Sequence, residues 1–161
     1  MGIGHQVLMT YEEIIPKGYL KDSKTVMEMG AQIIDVHYQE RAKKLLNIKE
    51  EKNLSAKEFY LKMGFNVYNS IDADGTNDSF VFDLNYNIKQ KYNFETQYDY
   101  VTNFGTSEHV FNQKTFFENV HNLTKKDGLM FHILPFEGQI HHCYFGYHPI
   151  FFYDLAMFNN Y

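Results

Sequence analysis

The segment TVMEMGAQIID, residues 25–35, decides the fold prediction for this chain. Its first five residues are compact and mostly apolar, which predicts a buried strand. Gly30 then provides a turn, and apolar positions from Ile33 to Leu46 recur at the 3.6-residue period of an amphipathic helix ending near Asn47. The segment is therefore interpreted as a strand, a turn and the start of a helix.

Caps and turn residues mark the other elements. Thr10 with Glu13 predicts a capping box before a short helix, and Ser55 with Glu58 predicts a second one, with Gly64 as its left-handed C-terminal residue. A later helix around residues 116–123 is predicted to have Lys125 and Lys126 in its last turn, whereas residues 85–97 show no convincing helix. Further strands are predicted at NVYNSID (66–72), SFVFDL (79–84), YDYVTN (98–103) and LMFHIL (129–134).

The alternation of strands and helical segments predicts an α/β fold. Parallel pairing with right-handed crossovers gives a Rossmann-like, doubly wound, mostly parallel sheet of about five strands with flanking helices. The length of 161 residues suits a single domain spanning residues 1–161.

Composition restricts the partners and the compartment. The net charge is -5 and no basic block occurs, so the sequence offers no electrostatic footprint for nucleic acid or for an anionic membrane. Cys143 is the only cysteine, and no apolar run reaches the length of a membrane span. We expect a cytoplasmic protein with a small-molecule substrate, no nucleic-acid partner and no membrane contact.

Polar residues and glycines follow the predicted strands at their carboxyl ends. In doubly wound sheets, ligands bind beyond these ends, near the point where strand order reverses. A carboxylate there can accept two hydrogen bonds from a ribose diol. The residues are Glu28 and Gly30, Asp72, Asp83, the segment 103–109, and His132.

With these residues assembled, the chain resembles a class I S-adenosylmethionine-dependent methyltransferase from about Thr25 to Leu134. VMEMGAQ is similar to the first motif of that family in a degenerate form, and YDYVTNFGTSEHVF is similar to its fourth-strand motif. The resemblance implies S-adenosylmethionine as the cofactor and a methyl transferase activity.

The resemblance also implies a role for each matched residue. Glu28 and Gly30 would face the methionine end of the cofactor, Asp72 would bind the ribose hydroxyls, and Asp83 with Leu84 would hold the adenine edge. Asn103, Phe104 and Gly105 would line the side that carries the methyl group.

Two departures from the family pattern stand out. Ala31 and Gln32 occupy positions where the family has glycines, which fits a cofactor without a pyrophosphate. The sequence also stops before the two strands that normally follow the fifth, so we expect either an abbreviated form of the family fold or a fragment of it. An uncovered fifth strand would be an edge through which two copies can pair into a homo-oligomer.

Histidines supply the candidate bases for an acceptor hydroxyl, such as that of a sugar-like small molecule. His109 and the adjacent His141 and His142 are the candidates, although His109 can equally be a helix-start residue packed beside the cofactor. Glu108 is interpreted as favouring the positive end of the helix that it begins. The aromatic run after residue 143 is expected to pack in the core, because its apolar positions from Phe151 to Phe158 follow helical spacing.

Two other functions remain open at this point. One is a non-catalytic binding or assembly module that keeps the cofactor fold. The other is a metal-dependent enzyme that uses the C-terminal histidines, although their spacing matches no established metal motif and no metal ligand is assigned. Those histidines are His132, His141, His142 and His148.

Overall fold

Five parallel strands organise the protein in a computed structural model, which describes residues 2–138 and 141–161. The strand order is β3-β2-β1-β4-β5, and all neighbours pair in parallel. Strand order therefore reverses between β1 and β4. This architecture confirms the predicted Rossmann-like, doubly wound α/β sheet. The strands are β1 (Thr25–Met29), β2 (Val67–Asp72), β3 (Phe80–Val81), β4 (Tyr98–Phe104) and β5 (Thr124–Ile133).

Helices cover both faces of this sheet. Side chains of α1, α2 and α3 belong to the hydrophobic cluster on one face, and side chains of α4 and α5 belong to the cluster on the other. Within the described residues, the helices are α1 (His5–Ile14), α2 (Gln39–Leu45), α3 (Ala56–Met63), α4 (Ile88–Tyr92), α5 (Gln113–Leu123) and α6 (Pro149–Asn159).

The central strands divide their side chains between these two clusters. Val26 and Tyr100 belong to the cluster beneath α1 to α3, whereas Met27 and Val101 belong to the cluster beneath α4 and α5. Successive side chains of a strand point to opposite faces, so β1 and β4 are buried on both sides, as parallel strands usually are.

The predicted boundaries of α3 are confirmed. The Ser55 hydroxyl accepts a 3.1 Å hydrogen bond from the Glu58 amide, and the Glu58 carboxylate accepts one from the Ser55 amide. Gly64 ends the helix with φ of 105°. These signals are local, which explains why the sequence alone was sufficient to find them.

The capping box predicted at Thr10 is wrong. Thr10 lies inside α1, where its hydroxyl donates a 2.9 Å hydrogen bond to the Gln6 carbonyl oxygen. The helix begins earlier, at His5, and Gly4 precedes it without a side-chain cap. A threonine whose hydroxyl bonds to the preceding turn can occupy a helix interior.

Two connections also differ from the prediction. The segment 85–97 contains α4, whose first turn is capped by the Asn87 side chain accepting from the Gln90 amide at 3.0 Å. The helix after β1 starts at Gln39, because Asp35 caps a short 3-10 turn first and Ile33 stays exposed.

No loop separates α5 from β5. The helix ends at Leu123 and the strand begins at Thr124, so Lys125 lies in the strand and not in the last helical turn. The Lys125 ammonium lies 2.7 Å from the Asp99 carboxylate, which binds the start of β5 to the start of β4. The segment is held in the sheet by its pairing with β4, to which this ion pair adds.

The expectation that the C-terminal aromatic run packs in the core is wrong for α6. No residue of α6 is buried, and Phe158 is 84% exposed. Phe151 and Phe152 contact Phe117 of α5, and Phe152 also stacks on His132 of β5. Among the helices of the described residues, none combines the length and the apolar character needed to cross a membrane.

Candidate cofactor cleft

A cleft of about 340 Å³ opens at the carboxyl ends of β1, β2 and β4. It is lined by residues 30–32 after β1, residues 71–73 at the end of β2, residues 82–85 after β3, and residues 105, 106, 109 and 110 after β4. Since strand order reverses between β1 and β4, the cleft lies at the topological switch point, where doubly wound sheets bind their ligands.

Asp72 and Gly30 lie side by side at the rim of this cleft. The Gly30 amide donates to the Ile71 carbonyl oxygen at 2.8 Å, and the Ala31 amide donates to Asp72 Oδ2 at 2.9 Å. Asp72 Oδ1 accepts from the Ala73 amide at 2.7 Å. A carboxylate offers about four acceptor positions, so each oxygen of Asp72 retains capacity for another donor.

Gly30 fits a position that no other residue would tolerate without strain. Its φ is 90°, which favours glycine. A Cβ atom at this position would overlap Thr106 Oγ1, which itself donates a 2.5 Å hydrogen bond to the Met29 carbonyl oxygen. The turn after β1 is thus held tightly against the loop after β4.

The β3 side of the cleft combines one carboxylate with apolar side chains. Asp83 Oδ1 accepts hydrogen bonds from the Asn85 amide at 3.0 Å and from Asn85 Nδ2 at 2.8 Å. Led by the backbone hydrogen bond from Asn85, these contacts lower the pKa of Asp83. Apolar lining comes from Ile71, Phe82, Leu84 and Val110.

Glu28 does not line the cleft. Its side chain is fully buried, and Oε2 accepts hydrogen bonds from the Tyr68 hydroxyl at 2.7 Å and from the Gln32 amide at 3.3 Å. Burial raises the pKa of Glu28 to about 7. Because Gln32 lines the cleft, Glu28 supports the turn after β1 from behind.

Two other predicted cofactor residues also lie behind the lining. Phe104 is buried in the hydrophobic cluster beneath α1 to α3. Asn103 is buried, and its side chain both accepts from the Ser107 amide at 3.2 Å and donates to Ser107 Oγ at 3.0 Å. Asn103 therefore shapes the loop after β4, whereas its neighbour Gly105 lines the cleft itself.

The three candidate bases occupy different places. His109 lines the cleft. His142 does not, but its ring lies 5.1 Å from the His109 ring between centroids. His141 is exposed and stands outside both the cleft and this pair.

Glu108 is the residue whose position the sequence did not predict. It was expected to favour a helix N-terminus, yet it lies in a three-residue 3-10 turn and its side chain is 0% exposed. Neither carboxylate oxygen has a hydrogen-bond partner among the described residues. Burial raises the pKa of Glu108. The amide of Tyr144, 36 residues later, donates to the Glu108 carbonyl oxygen, so no local pattern could reveal this environment.

The remaining C-terminal histidines serve separate local contacts. His132 stacks on Phe152 with centroids 5.2 Å apart, and burial lowers the pKa of His132 to about 4. His148 accepts from the Ile150 amide at 3.3 Å and thereby caps α6. The described histidines at 132, 141, 142 and 148 thus do not converge on one site.

A larger cavity of about 710 Å³ lies between α5, β5 and α6. Its walls include Phe117, Met130 and Phe151, and its acidic residue Glu118 lies 3.5 Å from Lys114 of the same helix. The cavity is away from the carboxyl ends of β1 and β2. The smaller cleft is the better candidate site because polar groups from several strands converge there.

In comparisons with known proteins, the chain matches no family model, no curated protein and no solved structure. The functional argument therefore depends on the geometry of the cleft.

Proposed function

We propose that this protein binds S-adenosylmethionine in the cleft and transfers its methyl group to a small-molecule acceptor. The observation that carries the proposal is the pairing of Asp72 with Gly30 at the switch point of a doubly wound sheet. A carboxylate already held by two backbone amides is preorganised, and its unused acceptor positions suit the two hydroxyls of a ribose.

The β3 side of the cleft suits a nucleobase. Leu84 and Val110 are largely buried and, with Phe82, offer apolar surface to a flat ring. Asp83 stands beside this surface, and its Oδ2 atom is not used by Asn85. A carboxylate there can accept a hydrogen bond from an exocyclic amine.

The β4 side suits the charged end of the cofactor and the acceptor. Gly30, Gly105 and Thr106 bring backbone and a small side chain close to the cleft, and His109 adds one imidazole. When bound, the cofactor would supply a methyl group on a sulfonium, from which a neutral thioether is a good leaving group. Alignment then contributes most of the catalysis.

His109 is the candidate base that borders the cleft. For a hydroxyl acceptor, it would take the proton as the acceptor oxygen bonds to the methyl carbon and the carbon–sulfur bond breaks. The acceptor preference for a sugar-like or other polar hydroxyl rests on this imidazole and on the net charge of -5, which disfavours nucleic acid.

Two features of the setting are part of the proposal. Among the described residues β5 pairs with β4 alone, so two copies could associate through the open edge of β5. A chain with one cysteine suits a reducing compartment, so we place the activity in the cytoplasm. Size-exclusion chromatography with light scattering tests the association.

Calorimetric titration of S-adenosylmethionine into the purified, metal-free chain tests the proposed cofactor. We expect binding with a Kd that is roughly micromolar, and at least about a tenfold loss in Asp72→Ala, because a charge-assisted contact to the ribose is removed. Asp74→Ala is the matched control, since Asp74 is an exposed acid of the next loop that does not line the cleft.

Three results would count against the proposal. If the unaltered chain does not bind S-adenosylmethionine, the proposed cofactor is wrong. If Asp72→Ala binds it as tightly as the unaltered protein does, the assigned binding site is wrong. Binding of the cofactor without methyl transfer to any member of a panel of sugars, phenols and amines would favour the non-catalytic module.

A further inference from the structure

Glu108 has an environment that the proposed cofactor site does not explain. Its carboxylate is fully buried without a hydrogen-bond partner among the described residues. Burying an unpaired carboxylate is costly, so such groups are usually neutralised or paired with a cation. The Nε2 atom of His142 is 3.9 Å from Glu108 Oε1.

Two imidazoles face this carboxylate. Glu108, His109 and His142 each offer one ligand atom, and these three atoms all lie within 4.8 Å of one another. Donors bound to one zinc ion at about 2.0–2.1 Å stand roughly 3.3 Å apart. Small rotations of the two histidine side chains, which are both on exposed residues, would close this difference.

The backbone holds the two halves of the cluster together. The amides of Tyr144 and Phe145 donate to the Glu108 carbonyl oxygen at 3.0 and 3.3 Å. The Tyr147 hydroxyl donates to Gln113 Oε1 at 2.6 Å. The returning segment is therefore fixed against the loop that carries Glu108, which keeps His142 opposite that residue.

We propose that Glu108, His109 and His142 form a binding site for one divalent transition-metal ion of the zinc type. Two imidazoles and one carboxylate suit zinc or a neighbouring first-row metal, whereas magnesium and calcium prefer sites composed of oxygen ligands. Three protein ligands leave a coordination position open, as in catalytic zinc sites.

The location gives the ion a function that rests on the proposed methyl transfer. His109 lines the cleft, so the open position would be available to an acceptor hydroxyl beside it. A bound divalent ion lowers the pKa of a coordinated hydroxyl, whose proton leaves to solvent. The ion would then activate the acceptor in place of a free His109 imidazole. Binding of the metal itself does not depend on the cofactor.

Titration of Zn²⁺ into the 161-residue chain after chelator treatment tests the site, with Co²⁺ as a spectroscopic probe. We expect one ion per chain, visible Co²⁺ absorption bands, and a higher Tm with zinc because the ion binds only the folded state. Glu108→Gln and His142→Asn should each weaken binding by at least about 100-fold, more than the effect typical of supporting contacts.

His141→Asn is the matched control for His142→Asn. The two histidines are adjacent and exposed, but His141 stands outside the cluster. Asparagine also tolerates the positive φ of 68° at residue 141. We expect His141→Asn to bind zinc as the unaltered chain does.

The proposal is overturned if the unaltered chain binds neither metal, or if His142→Asn and His141→Asn bind zinc equally well. Should Glu108→Gln fail to fold, the two histidine variants still decide the outcome, because both change exposed side chains. If the chain binds S-adenosylmethionine but not zinc, the metal site is wrong and the proposed cofactor stands. If it binds zinc but not S-adenosylmethionine, the proposed cofactor is wrong and the metal site stands.

Discussion

The Tyr68 hydroxyl donates a 2.7 Å hydrogen bond to Glu28, a carboxyl group buried on the α1 to α3 side of the sheet. Other tyrosines surround this pair, and Tyr11 bonds to both Tyr60 and Tyr100 through their hydroxyls. Glu28 Oε1 has no partner among the described residues. Burial in this core therefore favours the protonated form of the Glu28 carboxyl group.

Glu28 should make the stability of the protein depend on pH. Burial raises the pKa of Glu28 in the folded state from 4.5 to about 7. Between these two values the folded state holds more protons than the unfolded state, so the free energy of unfolding falls as pH rises from about 4.5 to 7. The loss is on the order of 3 kcal/mol.

Glu28→Gln removes this ionisation. Urea denaturation should show the variant gaining stability relative to the unaltered protein as pH rises from 5 to 7.5, with Glu13→Gln as a control on an exposed residue. A difference between Glu28→Gln and the unaltered protein that stays constant across this range would contradict the prediction.

Gly30→Ala should destabilise the protein and impair the cleft. The substitution adds a Cβ atom that overlaps Thr106 Oγ1, at a backbone φ of 90°. We expect the free energy of unfolding to fall by about 2–4 kcal/mol, because of the positive φ together with overpacking. Chemical denaturation and S-adenosylmethionine titration provide the two measurements.

Gly64→Ala isolates the contribution of the overlap. Gly64 has a similar φ of 105°, but a Cβ atom there would meet no atom within 4 Å. Gly64→Ala should therefore lower the free energy of unfolding by only about 1 kcal/mol, through backbone strain. Equal losses in the two variants would mean that contact with Thr106 does not matter.

Asp99 should give the protein a second, opposite pH dependence. Burial alone would raise its pKa, but the Lys125 ammonium and the amides of Lys24 and Thr25 outweigh burial and lower the pKa of Asp99 to about 2. Its stabilising contribution is present above the ordinary value of 3.8 and is lost as pH falls towards 2.

Asp99→Asn should lower the free energy of unfolding by about 1–2 kcal/mol at pH 6 and by about a third of that amount at pH 2.5, where part of the native carboxylate is protonated. Thermal unfolding at both pH values measures this difference. Asp22→Asn, a change at an exposed residue, should leave the Tm close to that of the unaltered protein at both pH values. An Asp99→Asn loss of the same size at pH 2.5 as at pH 6 would show that the carboxylate charge is not its cause.

Two phenylalanines should respond very differently to truncation. Phe116 of α5 is fully buried, so Phe116→Ala should cost about 3–5 kcal/mol. Phe158 of α6 is mostly exposed, and Phe158→Ala should change the free energy of unfolding by less than about 0.5 kcal/mol. A large loss in Phe158→Ala would indicate that α6 is covered in solution.

The sequence predicted best where the decisive interactions are local. Ser55, Glu58 and Gly64 define α3 through contacts within a few residues. The parallel pairing of the strands follows from their alternation with helices. Gly30 and Asp72 were placed together because the carboxyl ends of parallel strands share one edge of the sheet.

The errors occur where distant contacts decide. Lys125 belongs to β5, which pairs with the distant strand β4, and its ammonium bonds to Asp99. Glu108 is buried by a segment that returns from beyond β5, and Phe104 faces the hydrophobic cluster because of the strand's alternation rather than its motif. None of these environments can be deduced from neighbouring residues.

Because of the strand order, cleavage of the chain would separate residues that line the same cleft. The turn after β1 and the loop after β4 are neighbours in space, but about 75 residues separate Gly30 from Gly105 along the chain. A protease cut in the loop between β2 and β3 would leave the halves of the cleft on different pieces. Ligand binding in the cleft would then return only through complementation of the two fragments, and its recovery would measure their reassembly.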